Sequence, residues 1–256
     1  MDADYSTPEF RRKFSALLRE AVERAARVIT PSEYTASQLV ERAGVSREKI
    51  RVIPEGVEIP ARVLTPSERA AERGRLAGRG GEVLLNVGVL QTRKNILNAL
   101  RALEFLPPSY RLVLAGGDGH GSEAIHDFIR KDALGSRVAV LGHVPPERLT
   151  ALYQAASVLL FPSFDEGFGL PVLEAMANGL PVVASRVSAL PEVGGDAALY
   201  VDPHDPRDIA EKVARAVEDA SWRKAATLRG LERAREFTWR RVAERTLQVY
   251  EEVLAL

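Results

Sequence analysis

Short apolar runs alternate with amphipathic stretches along almost the whole chain. Runs such as VLLNV at 83–87 and LVLA at 112–115 are apolar at consecutive positions, which predicts strands covered on both faces. The segments between the runs place apolar residues three and four positions apart, as helices with one buried face do. This alternation predicts a parallel sheet with helices on both sides, a doubly wound α/β architecture.

The predicted elements divide at a stretch rich in Pro, Gly and charge, residues 55–81, which we expect to be a linker. Before it, the pattern predicts strands at 27–30 and 50–54 and helices over about 9–27 and 33–43. After it, the predicted strands are EVLLNVG, YRLVLAG, RVAVLG, SVLLFPS, PVVAS and ALYV. The predicted helices begin near 95, 122, 147 and 171, and three more follow near 206–219, 221–236 and 239–254.

Charge and cysteine content exclude several classes of function. Lys plus Arg and Asp plus Glu both number 35, so no net field would recruit nucleic acid or an anionic membrane. The lack of cysteine excludes disulfides, thiolate metal sites and cysteine nucleophiles, and it fits a reducing compartment. The sequence shows no signal-peptide pattern and no apolar run of about 20 residues. We therefore expect a cytoplasmic protein, with peripheral attachment to a membrane left open.

The stretch FPSFDEGFGLPVLEAMANG at 161–179 carries the strongest chemical signal. A strand is predicted to end near Ser163, and Pro171 suits the first position of a helix. The turn between them lies at the carboxyl edge of the sheet, where open α/β sheets bind ligands. Gly167 and Gly169 would let the backbone approach a ligand, and free N–H groups from Phe168 to about Val172 would favour a phosphate.

Two acids flank this turn. Glu166 is expected as an exposed side chain on the rim of the crevice, and Glu174 in the first helical turn or just after it. Two carboxylates beside a phosphate site suit a ligand with both phosphate and hydroxyl groups, such as a nucleotide-sugar. Taken alone, each feature has a structural explanation, because acids complement helix dipoles and Gly-x-Gly is often only a turn.

The complete pattern E-G-F-G-L-P-x-x-E-A-M-A-x-G-x-P-V-V-A-S, at 166–185, resembles the E-x7-E signature of the retaining glycosyltransferases of family 4. That family has the GT-B fold, two facing Rossmann-like domains. Further similar stretches occur in the expected order: ARVITPSEYTASQLVERAGVSREKIRVIPEGVE, LLNVGVLQTRKNI, LVLAGGDG, LGHVPPERLTALYQAASVLLFPS and PEVGGDAALYVDPHDP. The resemblance covers roughly residues 25 to 256.

The resemblance implies a role for each matching residue. Glu166 would hold hydroxyls of the transferred sugar and Glu174 those of the ribose, while Arg93 and Lys94 would neutralise the diphosphate. Fixed cations in a water-poor cleft can stabilise a leaving diphosphate, so neither a metal nor a cofactor is expected. The expected catalytic residues are Glu166, Arg93 and Lys94. The remaining donor-binding positions are Gly88, Gly116, Val144, Gly167, Phe168, Gly169 and Leu170.

Some positions depart from the family pattern. Val89 stands where many members carry Arg, so neutralisation would depend on Arg93 and Lys94 alone. The R-K-N form of that loop favours a nucleotide-hexose. Pro145 and Pro146 stand where some guanine-reading members carry an acid, so the donor is expected as a GDP-, UDP- or similar hexose.

The resemblance also divides the chain. Residues 1–60 would be the remnant of the acceptor-side domain, 61–238 the donor-binding domain, and 239–256 a helix crossing back to pack on the helix at 9–27. One expected function is retaining, metal-independent transfer of a hexose to a carbohydrate or lipid-linked acceptor. The alternative is a nucleotide-sugar binding module without transferase activity, completed by a missing-domain partner chain or a homo-oligomer. A GT-B epimerase or phosphorylase fits the motifs less well.

The other chemistry-bearing side chains are expected to be structural. The histidines are assigned to surfaces or loops, and His120 with Asp118 is weak evidence for a metal. Trp222 and Trp239 are expected to fill a core or a helix junction. The arginine-rich stretch 222–245 interleaves glutamates with a helical apolar period, which predicts a solvated face and no nucleic-acid binding.

Overall fold

The computed structural model describes residues 5–78, 80–131 and 133–255, and its strands form two parallel sheets. The smaller sheet pairs β1 (Val28–Thr30) with β2 (Ile50–Val52). The larger sheet contains β3 (Glu82–Val87), β4 (Tyr110–Ala115), β5 (Val138–Gly142), β6 (Val158–Phe161), β7 (Val182–Ser185) and β8 (Ala198–Val201). Its spatial order is β5-β4-β3-β6-β7-β8, and all its described pairings are parallel.

Helices connect these strands. They are α1 (Pro8–Arg24), α2 (Glu33–Ala43), α3 (Pro66–Ala77), α4 (Ile96–Ala102), α5 (Ser122–Lys131), α6 (Pro146–Ala155), α7 (Leu170–Ala177), α8 (Leu190–Gly194), α9 (Pro206–Glu218), α10 (Ala220–Glu236) and α11 (Trp239–Leu254). The predicted doubly wound α/β architecture is confirmed. None of the helices in the described ranges is both long and apolar enough to span a bilayer.

Consecutive residues of the central strands are buried on opposite faces of the large sheet. On β3, Leu84 belongs to one apolar cluster with Leu100 and Leu160, and Leu85 belongs to the other with Phe161. Side chains alternate across a strand, so strands covered by helices on both faces must be apolar at consecutive positions. Each such buried leucine contributes about 1.5–3 kcal/mol to stability.

The stretch predicted to be a linker, 55–81, contains helix α3, so the prediction is wrong there. Thr65 accepts a hydrogen bond from the Glu68 amide, and the Glu68 side chain accepts one from the Thr65 amide, which closes a capping box. The helix buries Glu72, which is ion-paired with Arg75 and Arg148. A helix whose buried residues are an acid and one alanine, Glu72 and Ala77, lacks the strong apolar period that sequence patterns detect.

The segment before residue 60 has a small apolar core of its own, formed by Ala36, Val45 and Ile50, and it contacts helix α11. Helix α11 reaches it through Glu252, which accepts hydrogen bonds from Arg27 and Arg51. These ion pairs join α11 to Arg27, the last residue of the predicted helix range 9–27, and to Arg51 in strand β2. The packing of α11 on the helix at 9–27 stays a prediction. The division into domains at residues 60 and 238 stays a prediction.

The linker is also fastened to the turn that precedes α11. The Val57 amide donates to the Phe237 carbonyl at 2.9 Å. A Cβ at Gly56 would lie 2.5 Å from the Trp239 nitrogen, so only glycine fits there.

Candidate active site

The site lies at the carboxyl ends of β3 and β6, which are adjacent in the large sheet. From β3 the chain continues outward through β4 and β5, whereas from β6 it continues in the opposite direction through β7 and β8. A crevice opens at such a reversal, because the connections leave in opposite directions. The loop of residues 88–95 after β3 and the turn of residues 162–169 after β6 meet there.

Glu166 is buried in this crevice between two cations. Its Oε1 lies 2.7 Å from the Lys94 Nζ, and its Oε2 lies 2.8 Å from Nη1 of Arg93. Only 6% of the residue is exposed. The expectation of an exposed acid on the rim is therefore wrong. The charge tolerates burial because both of its oxygens are paired with cations from the loop after the neighbouring strand β3.

Lys94 is itself largely enclosed. Burial lowers the pKa of its ammonium group, while the Glu166 carboxylate opposes that effect. The Nζ lies 4.7 Å from the centre of the Phe161 ring. Gly88 has φ 134°, and a Cβ there would lie 3.3 Å from the Lys94 Nζ, so this glycine leaves room for the lysine. Gly116 is equally constrained, because a Cβ there would lie 1.9 Å from the Gly88 carbonyl oxygen.

The turn after Glu166 presents free backbone amides. The N–H groups of Phe168, Gly169 and Leu170 donate to no group in the described part of the chain. Gly169 has φ 108°, and a Cβ there would meet Leu190 at 2.7 Å. Val172 is not free, because its amide donates to the Gly169 carbonyl at 2.9 Å, so the predicted run of open N–H groups ends earlier. Such a cluster of amides is suited to an anion.

Glu174 occupies a different environment on α7. The Tyr153 hydroxyl donates to its Oε2 at 2.7 Å. Burial, together with the charge of Glu174, raises the pKa of Tyr153 well above its ordinary value, so the hydroxyl stays protonated. The acid lines a cavity of about 280 Å³ between α6, α7 and the linker. Its lining residues are Gly56, Val57, Glu58, Pro146, Leu149, Thr150, Tyr153, Leu170, Glu174, Asn178 and Trp239.

The structure brings most of the predicted site residues together around these two acids. Arg93 and Lys94 contact Glu166, and the turn of residues 167–170 follows directly along the chain. Leu170 lines the cavity of Glu174 and so joins the two environments. Val144 packs its side chain against the apolar cluster that includes Phe161.

Sequence reasoning missed two residues that hold the site in place. Asn95 is buried with φ 55°, and its side-chain amide donates to the carbonyls of Pro162 and Pro203 at 2.8 and 2.7 Å. Asn tolerates this left-handed conformation, so its place directly after Lys94 was a usable signal. The Ser188 hydroxyl accepts from the Glu166 amide at 3.0 Å, and no sequence pattern indicates this contact.

The other candidates occupy structural positions. His126 lies 2.7 Å from Asp118, and His204 stacks on Phe164 with ring centres 4.9 Å apart. Across the described ranges, no group of three His, Asp or Glu side chains is close enough to bind a metal ion. Trp222 packs against the core, as predicted, whereas Trp239 is half exposed and lies against Gly56 in the linker.

Family models match almost the full length of the chain. The model described as Glycosyl transferases group 1 matches residues 69–233, and the model described as Glycosyltransferase Family 4 matches residues 3–59. These matches confirm the resemblance that the motifs indicated.

Individual proteins show the same similarity. O-antigen chain mannosyltransferase B of Escherichia coli is 33% identical, over 96% of this chain and 67% of that protein. Sucrose-phosphate synthase from Thermosynechococcus elongatus superposes with a TM-score of 0.81 at 29% identity, over 95% of this chain and 62% of that one. Anabaena HepE, solved in complex with UDP and glucose, superposes with a TM-score of 0.84 at 23% identity, over 98% of this chain and 69% of that one. This match shows a similarity of fold alone. The chain spans about two thirds or less of the length of its curated relatives.

Proposed function

The chain belongs to the group 1 glycosyltransferases, and from this premise we propose that it binds a nucleotide-sugar and takes part in transferring its hexose. The observation that carries the proposal is the buried Glu166, held at 2.7 and 2.8 Å by Lys94 and Arg93 beside three free amides. A diphosphate needs cations and N–H donors, and a sugar needs a carboxylate that accepts from its hydroxyls. The crevice offers all three kinds of group where the loop after β3 meets the turn after β6.

The cavity of Glu174 would receive the nucleoside. A half-buried carboxylate accepts well from a pair of ribose hydroxyls, and the Tyr153 hydroxyl holds one of its oxygens at 2.7 Å. Leu170 stands between this cavity and the free amides, so a diphosphate could bridge the two acids. We also propose that three further residues lie on the donor side of the crevice, namely Gly88, Gly116 and Val144. The two glycines would contribute through their closely packed backbone.

The proposed transfer is retaining and independent of a metal. The bond between the sugar C1 and the diphosphate oxygen breaks, and a bond from the acceptor oxygen to C1 forms on the same face. The acceptor proton passes to an oxygen of the departing diphosphate. Arg93 and Lys94 would stabilise the negative charge that this group gains, and Glu166 would hold the sugar in place.

A second candidate is a binding module that holds the donor without transferring it. Transfer needs an acceptor positioned opposite the donor, and in this alternative the two-stranded sheet of the described residues would not hold one. An acceptor that is a carbohydrate or a lipid-linked sugar would then be supplied by a partner chain or a second copy.

Calorimetric titration tests donor binding. The purified chain is titrated with UDP, GDP and ADP and with their hexose conjugates, and then Glu174→Gln and Lys94→Met are compared with Glu104→Gln and Lys131→Met. The two control residues are exposed and lie at the opposite edge of the sheet, before β4 and β5. Selective binding that is lost only in the site variants supports the proposal and identifies the base. A wild-type chain that binds none of the nucleotides contradicts it.

Turnover separates the two candidates. A radiolabelled donor is incubated with the chain and with a panel of sugar acceptors, and the anomeric configuration of any product is read by NMR. A product with the donor's configuration, formed in the presence of EDTA, supports retaining, metal-independent transfer. Donor binding without product favours the binding module, and an inverted product contradicts the proposed mechanism.

A further inference from the structure

We infer that Ser32 and Thr35 are positioning residues that aim the Phe168 amide at the donor's diphosphate, an inference that rests on the proposed function. Both residues lie in the small N-terminal segment, at the start of α2. Both hydroxyls donate to the Gly167 carbonyl oxygen, at 2.6 Å from Ser32 and 2.9 Å from Thr35. A carbonyl oxygen has two lone pairs, so these two donors satisfy it completely.

The planar peptide group between Gly167 and Phe168 links these two hydrogen bonds to the direction of the Phe168 N–H. The described residues contain no cis peptide bond, so the Gly167 carbonyl and the Phe168 N–H point in opposite directions from one rigid plane. Because α2 holds the carbonyl, the Phe168 N–H must point away from α2. That N–H has no partner in the described part of the chain, which leaves it free for a ligand.

The flexibility of the turn explains why such a clamp is needed. Gly167 and Gly169 flank Phe168, and glycine restricts backbone rotation least of all residues. Without external contacts the peptide plane could rotate and carry the N–H out of the crevice. A Cβ at Gly167 would lie 3.4 Å from the Thr35 hydroxyl, so the hydroxyl closes directly on the glycine.

Other contacts fix the start of α2 against helix α8 and the same turn. The amides of Glu33 and Tyr34 both donate to the Glu192 carboxylate at 2.8 Å. The Tyr34 hydroxyl donates to Asp165 at 2.8 Å, and burial, together with that hydrogen bond, raises the pKa of Tyr34 to about 12. The hydroxyls of Ser32 and Thr35 therefore come from a docked element, and the orientation of the amide depends on that docking.

Thr35→Val is the cleanest variant, because it removes one hydroxyl at nearly constant volume. Ser32 also caps α2 by accepting from the Thr35 amide at 3.0 Å, so Ser32→Ala loosens the helix as well. Thr35→Ser keeps the hydroxyl and should behave as wild type. Ser37→Ala, at an exposed position on the same helix, is the matched control.

The test is a ¹⁵N-correlation NMR titration of the full chain and its variants with UDP, GDP and ADP and with the matching nucleosides. Thr35→Val should weaken diphosphate binding about threefold, and the Ser32→Ala/Thr35→Val double variant about tenfold. Nucleoside affinity should stay unchanged, because the nucleoside uses the cavity of Glu174. The Phe168 amide resonance should shift in both variants before any ligand is added.

Equal losses for diphosphate and nucleoside, or no loss in the double variant, would overturn the inference and leave the proposed function intact. If the wild type binds no diphosphate, the proposed function fails instead. The Phe168 resonance of the free protein then still decides the positioning claim, since an unchanged resonance in the double variant contradicts it.

Discussion

Glu166 and Glu174 are the same kind of side chain, eight positions apart, but they are held in opposite ways. Glu166 is 6% exposed and pairs with two cations from the loop that follows the neighbouring strand β3. Glu174 is partly buried and is held by the neutral hydroxyl of Tyr153. The first acid is part of a charge cluster, and the second is part of a cavity wall.

This difference shows how one turn could serve two ends of a ligand. The cations around Glu166 would be shared with an incoming diphosphate, so binding there must rearrange an existing ion cluster. Binding at Glu174 would break no ion pair, because its hydrogen-bond partner, the Tyr153 hydroxyl, is neutral. We therefore expect stability to depend on the first acid, and nucleoside affinity to depend on the second.

Glu166→Gln should have the largest effect. It leaves Lys94 and Arg93 without their carboxylate in a buried place, so the free energy of unfolding should fall by about 3 kcal/mol, with loss of transfer. Urea denaturation measures the first effect. The double variant Glu166→Leu/Lys94→Met should recover part of the loss, because the buried lysine charge is then also removed. A loss below about 1 kcal/mol for Glu166→Gln would show that the cluster contributes little.

Glu174→Gln should separate the two acids. Because Glu174 has no ionic partner among the described residues, the free energy of unfolding should change by less than about 1 kcal/mol, while nucleotide affinity should fall about tenfold. Calorimetry and urea denaturation of the same preparation measure both quantities. If the free energy of unfolding falls as far as in Glu166→Gln, the two acids contribute equally to stability and the proposed difference between them is wrong.

Diphosphate binding should depend on pH through Lys94, the buried cation that pairs with Glu166. Burial lowers the pKa of Lys94 in the free protein, and a bound diphosphate would raise it. Affinity for a nucleoside diphosphate should therefore be highest while the free lysine is protonated, and it should fall severalfold as the pH rises through the lowered pKa of Lys94 in the free protein. Lys94→Met should bind more weakly and lose this dependence. A flat wild-type profile would contradict the assignment of Lys94 to the diphosphate.

Tyr153→Phe should have the smallest effect. It removes the hydroxyl that orients Glu174 at 2.7 Å and leaves the ring in the core, so nucleoside affinity should fall about threefold. Affinity for inorganic diphosphate should not change, and a titration with each ligand compares them. An equal loss for both ligands would mean that Tyr153 supports the whole site.

The site was predictable where it depends on local backbone chemistry. Arg93, Lys94 and the glycines of the turn belong to loops that follow apolar strands, and parallel strands bring such loops to one edge. The burial of Glu166 was not predictable in this way. Its two cations come from the loop after β3, and Lys94 is 72 positions away from Glu166 in the sequence. Tertiary packing decides that β3 and β6 are neighbours in the sheet. The bond of Val172 to Gly169 likewise depends on the form of the turn.

The sequence by itself determined the alternation of buried strands and helices, because that alternation follows from local periodicity and from turn residues such as Gly169 and Pro171. It also determined the family. Only the tertiary structure decided that Glu166 is enclosed, that residues 66–77 form a helix, and that the hydroxyls of Ser32 and Thr35 donate to the Gly167 carbonyl. These features join residues far apart in the chain, and their energies depend on distances and burial that no local pattern encodes.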